Sequence, residues 1–306
     1  MGNRSLVILL FIALFSLDAG PLMAAACCGG SSAAPLIISK EAQSIVSFSM
    51  VKDSITHNAS SSGEVQKKSS EFNTIIDQLN ISGIYSLTPF IQIAGLVTYL
   101  NKYSQTTNFS ESSSGIKNAT LQMNYEFMPE YFYSLWRPRG FVFLNLTLPV
   151  GKSIYESSKA YQTDALSSGQ YSSNFGVLFK KNWSEWDFSF ATSIAHYFSR
   201  NFKQNSEIIN VGGNQQISCN LEAGFSPNSG ALRLGVSLDF AYQSKKEILE
   251  SSLTTKNYHL GLGLSSIYQF SNFTIGINFL DQSYFSIAKN KALTKAIGIK
   301  LNKDFY

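Results

Sequence analysis

Between Leu232 and Tyr242 the chain alternates without a break. Leu232, Leu234, Val236, Leu238, Phe240 and Tyr242 are separated by Arg233, Gly235, Ser237, Asp239 and Ala241. Successive side chains of an extended strand face opposite ways, so this spacing makes one face wholly apolar and the other small or polar. A helix would scatter the same residues around its circumference. The pattern recurs at Tyr258, Leu260, Leu262 and Leu264, at Phe273, Ile275, Ile277 and Phe279, and at Ile217, Cys219, Leu221, Ala223 and Phe225. Leu121, Met123, Tyr125 and Phe127 repeat it, as do Val142, Leu144, Leu146 and Leu148. Weaker alternation runs through 42–52, 74–87, 90–102, 170–180, 186–199 and 292–305, which brings the expected strand number to twelve.

Two arrangements bury such strands: a soluble β-sandwich, whose apolar faces form a core, and a transmembrane β-barrel, whose apolar faces meet lipid. Charge separates them. Only 14% of residues are charged, against roughly 25% in ordinary soluble chains. After the N-terminus no run of apolar residues is long enough for a spanning helix. The expectation is therefore an all-β, antiparallel up-and-down barrel of about twelve strands over residues 40–306. About 280 residues shared among twelve strands leave about 23 for each strand and its connection, against the roughly 9–11 needed to cross a bilayer obliquely. Connections near 88–90, 128–140, 181–185, 226–230 and 270–272 are mostly short. Those near 53–69, 103–116, 151–169, 200–213, 245–256 and 285–291 are longer and rich in Ser, Asn, Lys and Gln. Short periplasmic turns opposite long external loops are the habit of bacterial outer-membrane barrels. Proline agrees, because it cannot donate to a strand ladder. Pro89, Pro129, Pro138 and Pro227 fall in the short turns, and Pro149 ends a strand.

The N-terminus reads as an export signal: Arg4, an apolar run from Leu6 to Phe15, and small residues ending at Ala24-Ala25-Ala26. Residues 1–26 are expected to be removed, leaving Cys27 first. That cysteine is a candidate for lipidation, although Ala24 stands where the lipid-processing pathway favours a larger aliphatic; ordinary cleavage is the alternative. Residues 27–39 are small and flexible, and either dangle in the periplasm or fold into the barrel as a plug. At the other end, Ile297, Ile299, Leu301 and Phe305 share one strand face with Leu293, interrupted by Lys295 and Lys303. A last strand of this form resembles the signal read by the barrel-assembly machinery, which makes that machinery and outer-membrane lipid the expected partners.

If the apolar stripes face lipid, the lumen is lined by Asn80, Gln92, Gln122, Asn124, Glu126, Asn145, Asn174, Lys180, Asp187, Asn220, Glu222, Arg233, Asp239, His259, Asn278 and Gln282. Both charge signs occur, so no strong ionic preference is readable. Cys27, Cys28 and Cys219 have no metal-ligand spacing, so no metal or other cofactor is expected. A net charge of +4, scattered along the chain, does not suit nucleic acid. A hydrolase would need His57, His196 or His259 beside a nucleophile and an orienting group; His57 falls in an expected loop, His196 on an apolar face near a strand end, and His259 faces inward without a serine-rich motif to mark a nucleophile. Tyr131, Phe132, Tyr133, Trp136, Trp183 and Trp186 on one side, and Tyr284 and Phe285 on the other, form the aromatic girdle expected at headgroup level, with sugar binding as the alternative.

Two stretches carry a family resemblance: Leu144 to Ser153, an apolar strand closing on Leu-Pro-Val-Gly-Lys-Ser, and Gly169 to Val177, where a glycine opens a new strand after a polar loop. Together they resemble the outer-membrane transporters of the phenol meta-pathway type, a group similar in turn to the long-chain fatty-acid transporters. The resemblance implies passive uptake of small, often hydrophobic molecules through a kinked or plugged barrel. The expectation is a nonenzymatic channel or transporter for a small-molecule solute. The alternative is a structural or surface-recognition barrel with a blocked lumen.

Overall fold

A computed structural model describes residues 34–38, 42–69, 72–129, 136–204, 207–227, 231–248, 252–253 and 256–306. The signal segment, Cys27, and the aromatic residues Tyr131, Phe132 and Tyr133 lie outside them. Twelve long strands make up the described wall: β1 (Ser44–Ala59), β2 (Asn73–Ser86), β3 (Ile91–Gln105), β4 (Ser110–Met128), β5 (Arg139–Pro149), β6 (Ser172–Trp183), β7 (Trp186–Tyr197), β8 (Asn214–Phe225), β9 (Leu232–Gln243), β10 (Asn257–Phe270), β11 (Phe273–Asp281) and β12 (Lys291–Phe305). Each pairs antiparallel with the next. β12 closes on β1, with Phe48 opposite Leu301 and Met50 opposite Ile299. Closure leaves no free sheet edge, which a bilayer requires because it offers no water to satisfy unpaired backbone groups.

The alternation is realised as a lipid-facing exterior. Met50, Leu121, Phe175, Leu221, Leu234 and Ile297 are exposed although apolar, while their sequence neighbours turn inward. This inversion of ordinary burial is what a hydrocarbon solvent selects. Ile297, Ile299, Leu301 and Phe305 share that surface. Leu293 departs from the expected stripe: it is fully buried with Ala59 and Ala288, and Val65 packs against them. The two lysines that interrupt the stripe are accommodated at its ends. Lys295 Nζ sits 2.8 Å from Asp281 Oδ2, and Lys303 Nζ lies 3.8 Å from the centre of the Phe273 ring.

Two of the expected external loops are largely strand. β1 continues to Ala59 and pairs there with a short strand, Val65–Lys67. β3 and β4 stay paired from Tyr99 opposite Ile116 out to Gln105 opposite Ser110, leaving residues 106–109 to turn. These extensions belong to the long-loop side, where no lipid demands an apolar outer face, so no apolar alternation is needed to pair them. Ser110, Glu111, Ser112, Ser113 and Ser114 are such a stretch. The expected loop at 200–213 likewise contains a hairpin, Arg200–Gln204 with Glu207–Val211.

The candidate functional site: the barrel lumen

At the short-turn end, periplasmic in barrels of this kind, the chain preceding β1 enters the barrel. Residues 34–38 carry no regular secondary structure and are held by five side-chain hydrogen bonds from the wall. Ile38 N donates to Gln92 Oε1 at 3.1 Å, and Gln92 Nε2 donates back to Ile38 O at 3.3 Å. Gln122 makes the same exchange with Leu36: Leu36 N donates to its Oε1 at 3.3 Å, and its Nε2 reaches Leu36 O at 2.7 Å. Asn124 Nδ2 donates to the same Leu36 carbonyl at 2.7 Å. The wall thus supplies to this peptide what a neighbouring strand otherwise would.

Apolar contacts complete the seat. Ile38 is fully buried among Ala42, Ile45, Ile84 and Ala94, with Leu36 packed beside them. Ile37 packs on a second group, Phe141, Phe143, Leu178 and Ala191. Gly176 makes room for that group, since a Cβ there would collide with the Phe143 ring and the Thr192 carbonyl oxygen.

The same end is cross-braced by ion pairs. Arg233 grips Asp187 with both prongs of its guanidinium, Nε to Oδ2 at 2.7 Å and NH2 to Oδ1 at 2.6 Å. Its NH1 stands 2.8 Å from Glu222 Oε1, a charge contact rather than an aligned hydrogen bond. Arg139 forks onto Glu126 at 3.1 and 3.0 Å. All five charged groups, Arg233, Asp187, Glu222, Arg139 and Glu126, are buried or nearly so.

Above this floor the lumen opens into a cavity of about 810 Å³. Of the residues expected inside the barrel, Asn80, Gln122, Asn145, Asn174, Asn220, Glu222, Asp239, His259, Asn278 and Gln282 line it. Gln92, Asn124, Glu126, Lys180, Asp187 and Arg233 are instead buried at the short-turn end. Further lining comes from Ser47, Ser49, Gln78, Thr98, Thr120 and Thr147. Their sequence signal was present but faint: Ser47 and Ser49 alternate with Val46, Phe48 and Met50. Ala34, Pro35, Leu36 and Ile37 also face the cavity and form its floor.

The external connection 150–171 supplies Ser167, Ser168 and Gln170 to the same wall. It is tied down at several points. Gln170 Nε2 donates to the carbonyls of Phe198 at 2.8 Å and Gly212 at 3.1 Å. Glu111 on the β4 extension accepts from Thr163 Oγ1 at 2.9 Å and Tyr161 N at 3.2 Å. Tyr161 packs its ring against Phe72 and Phe109. At Asp164, partial burial alone would raise the carboxyl, but hydrogen bonds from Ser157 and Ser158 outweigh it and hold the group at about 2.

The histidines do not assemble into a hydrolytic site among the described residues. His57 Nδ1 shares a hydrogen bond with Thr56 Oγ1, His196 stacks edge-on with Phe198, and His259 meets Lys291 Nζ at 2.9 Å. Cys219 is free, on the outer side of β8. Trp136, Trp183, Phe188, Trp186 and Phe225 make edge and tilted ring contacts around the short-turn rim.

No family model matches the sequence, and no curated protein does. Solved structures match it in fold. An outer-membrane channel from Pseudomonas putida F1 superposes with a TM-score of 0.69 at 11% identity, over 91% of this chain and 99% of that one. The beta domain of the Bordetella autotransporter BrkA reaches a TM-score of 0.50 at 7% identity, over 86% of this chain and 100% of that one. Identities this low speak to the fold alone. Closed strands, an apolar exterior and this likeness define the class: the chain is an outer-membrane β-barrel protein.

Proposed function

We propose that the barrel is a nonenzymatic channel or transporter for small molecules, with residues 34–38 as a plug at its periplasmic end. The observation that supports this most is the cavity of about 810 Å³ running between that segment and Ser167, Ser168 and Gln170. Its volume falls within the roughly 300–1,000 Å³ typical of small-molecule sites. The family resemblance at Leu144–Ser153 and Gly169–Val177 points to a hydrophobic cargo, but the hydroxyl and amide side chains of the wall favour a polar one. In this reading lipid holds the outer band, and the barrel-assembly machinery reads Ile297, Ile299, Leu301 and Phe305.

Liposome swelling with the full chain and with residues 34–38 deleted tests the proposal. Solute uptake that rises on deletion supports a plugged channel. A folded barrel impermeable to every small solute in both forms removes the channel reading. It leaves the surface-recognition barrel, which the anchored external connection at 150–171 would then serve.

A further inference from the structure

We propose that the middle of the lumen is a subsite for neutral polyhydroxylated solutes, small sugars and polyols, with the side-chain carbonyl oxygens of Asn145 and Asn174 as its acceptors. The inference rests on the channel reading and names the class of cargo. Asn145 on β5 and Asn174 on β6 stand directly opposite each other in register, and both line the cavity. The Oδ1 atom of each is buried and has no hydrogen-bond partner among the described residues. A buried acceptor left empty is costly, so a pair of them on side chains that line the cavity invites a donor once the amides turn toward whatever occupies it. A hydroxyl provides one.

The rest of the wall narrows the choice. Ser193, Ser218 and Ser237, from β7, β8 and β9, present hydroxyls to the same cavity. A hydroxyl both donates and accepts, so it matches a polyol in either sense. The charged groups of the lining are Asp53, Glu222 and Asp239 against Lys117 and Lys300. Glu222 is taken up by Arg233, which leaves Asp53 and Asp239 against Lys117 and Lys300. Balanced and partly neutralised charge gives no single-sign field to concentrate an ion. Val51, Leu96 and Leu280 also face the cavity, enough to meet the C–H faces of a sugar, while the contiguous apolar group of Leu36, Ile45, Ile84 and Ala94 lies at its floor.

Glucose, gluconate and glucosamine have nearly one size and differ in charge. Their uptake is compared by liposome swelling with the full chain and with its Gln92→Leu variant, and glucose block of ion current is read in planar bilayers. Glucose is expected to enter at least threefold faster than either charged analogue. Asn145→Leu with Asn174→Leu is expected to weaken glucose block at least fivefold. Should that pair fail to fold, Asn145→Ser with Asn174→Ser keeps the wall polar, moves the acceptors away, and is expected to weaken block at least twofold. Equal or faster passage of a charged analogue, or glucose block indifferent to the substitutions, overturns the assignment while leaving the channel reading intact. No passage of any solute or ion in either chain overturns both.

Discussion

Replacing Gln92 by leucine tests whether the segment before β1 is a gate. Gln92 is the only described residue whose side chain satisfies both backbone groups of Ile38, accepting from its N–H and donating to its carbonyl. Leucine has nearly the same shape and can do neither, so two buried backbone groups lose their partners. Each orphaned group costs roughly 1–3 kcal/mol, which gives about 2–6 kcal/mol against the seated state. Leucine recovers some apolar contact with Ile38, so the lower end applies. At about 1.4 kcal/mol per factor of ten, the ratio of released to seated segment rises at least about tenfold. Asn124→Leu is the internal control. It removes one of two donors to Leu36 O, which keeps Gln122 Nε2 at 2.7 Å, so no backbone group of the segment is orphaned and its effect is smaller. Single-channel recordings in planar bilayers report the ratio as open to closed dwell time. Gln92→Leu opening more than Asn124→Leu, and more than the parent, is the expected order. Unchanged dwell times, or the reverse order, would show that these bonds do not hold a gate.

The remaining predictions concern the frame. Leu221→Arg puts a charge on the lipid face and should destabilise the barrel by about 2–4 kcal/mol in urea titrations from lipid vesicles if it lies near mid-bilayer depth; a cost near zero would mean that this face does not meet hydrocarbon. Arg233→Met strands Asp187 and Glu222, buried beside each other, and should cost about 3–5 kcal/mol by the same titration. Adding Asp187→Asn and Glu222→Gln should restore most of it, because the penalty belongs to unpaired charge. Asp164, held at about 2, stabilises its loop while ionised. That contribution is present above the ordinary carboxylate pKa of about 4 and is lost as pH falls through about 2. Amide resonances of Ser157 and Ser158 should titrate with that low midpoint, and a midpoint near 4 would rule out the hydrogen-bonded carboxylate.

What was legible in the sequence follows the solvent. Where lipid touches the wall, every second residue must be apolar, and the segments around Leu234, Leu262 and Ile277 all carry that requirement openly. Where the strands leave the bilayer the requirement lapses, so the Ser-rich start of β4 reads as loop although it is paired. Leu293 shows the converse. Its apolarity fits the lipid stripe, but Ala59, Ala288 and Val65 cover it, a contact between chain segments that no local pattern encodes. The inward direction of Gln92, Gln122 and Asn124 could be read from alternation. Their convergence on Leu36 and Ile38 could not, because it depends on how deep a segment of unpatterned small residues runs into the barrel.

That convergence sets the two halves of the periplasmic end apart. On one side the seal is ionic: Arg233 ties β9 to Asp187 on β7 and Glu222 on β8. Opening it would expose or strand three charges in a confined site, and removing one partner of such a cluster costs several kcal/mol. On the other side, next to the Arg139–Glu126 pair that ties β5 to β4, the seal is a peptide held by neutral amides on β3 and β4 and by apolar packing. Its five hydrogen bonds contribute about 1 kcal/mol each in net terms, and water can replace them when it leaves. Ordering five backbone residues costs roughly 1–2 kcal/mol each, so the bonds alone at best offset it, and the margin for seating comes from buried Ile38 and its neighbours. A rigid ionic half and a marginally held peptide half place any opening at residues 34–38 rather than in the wall. Substitutions that loosen Arg233 should therefore lower stability without opening the channel, and those that loosen Ile38 should do the opposite.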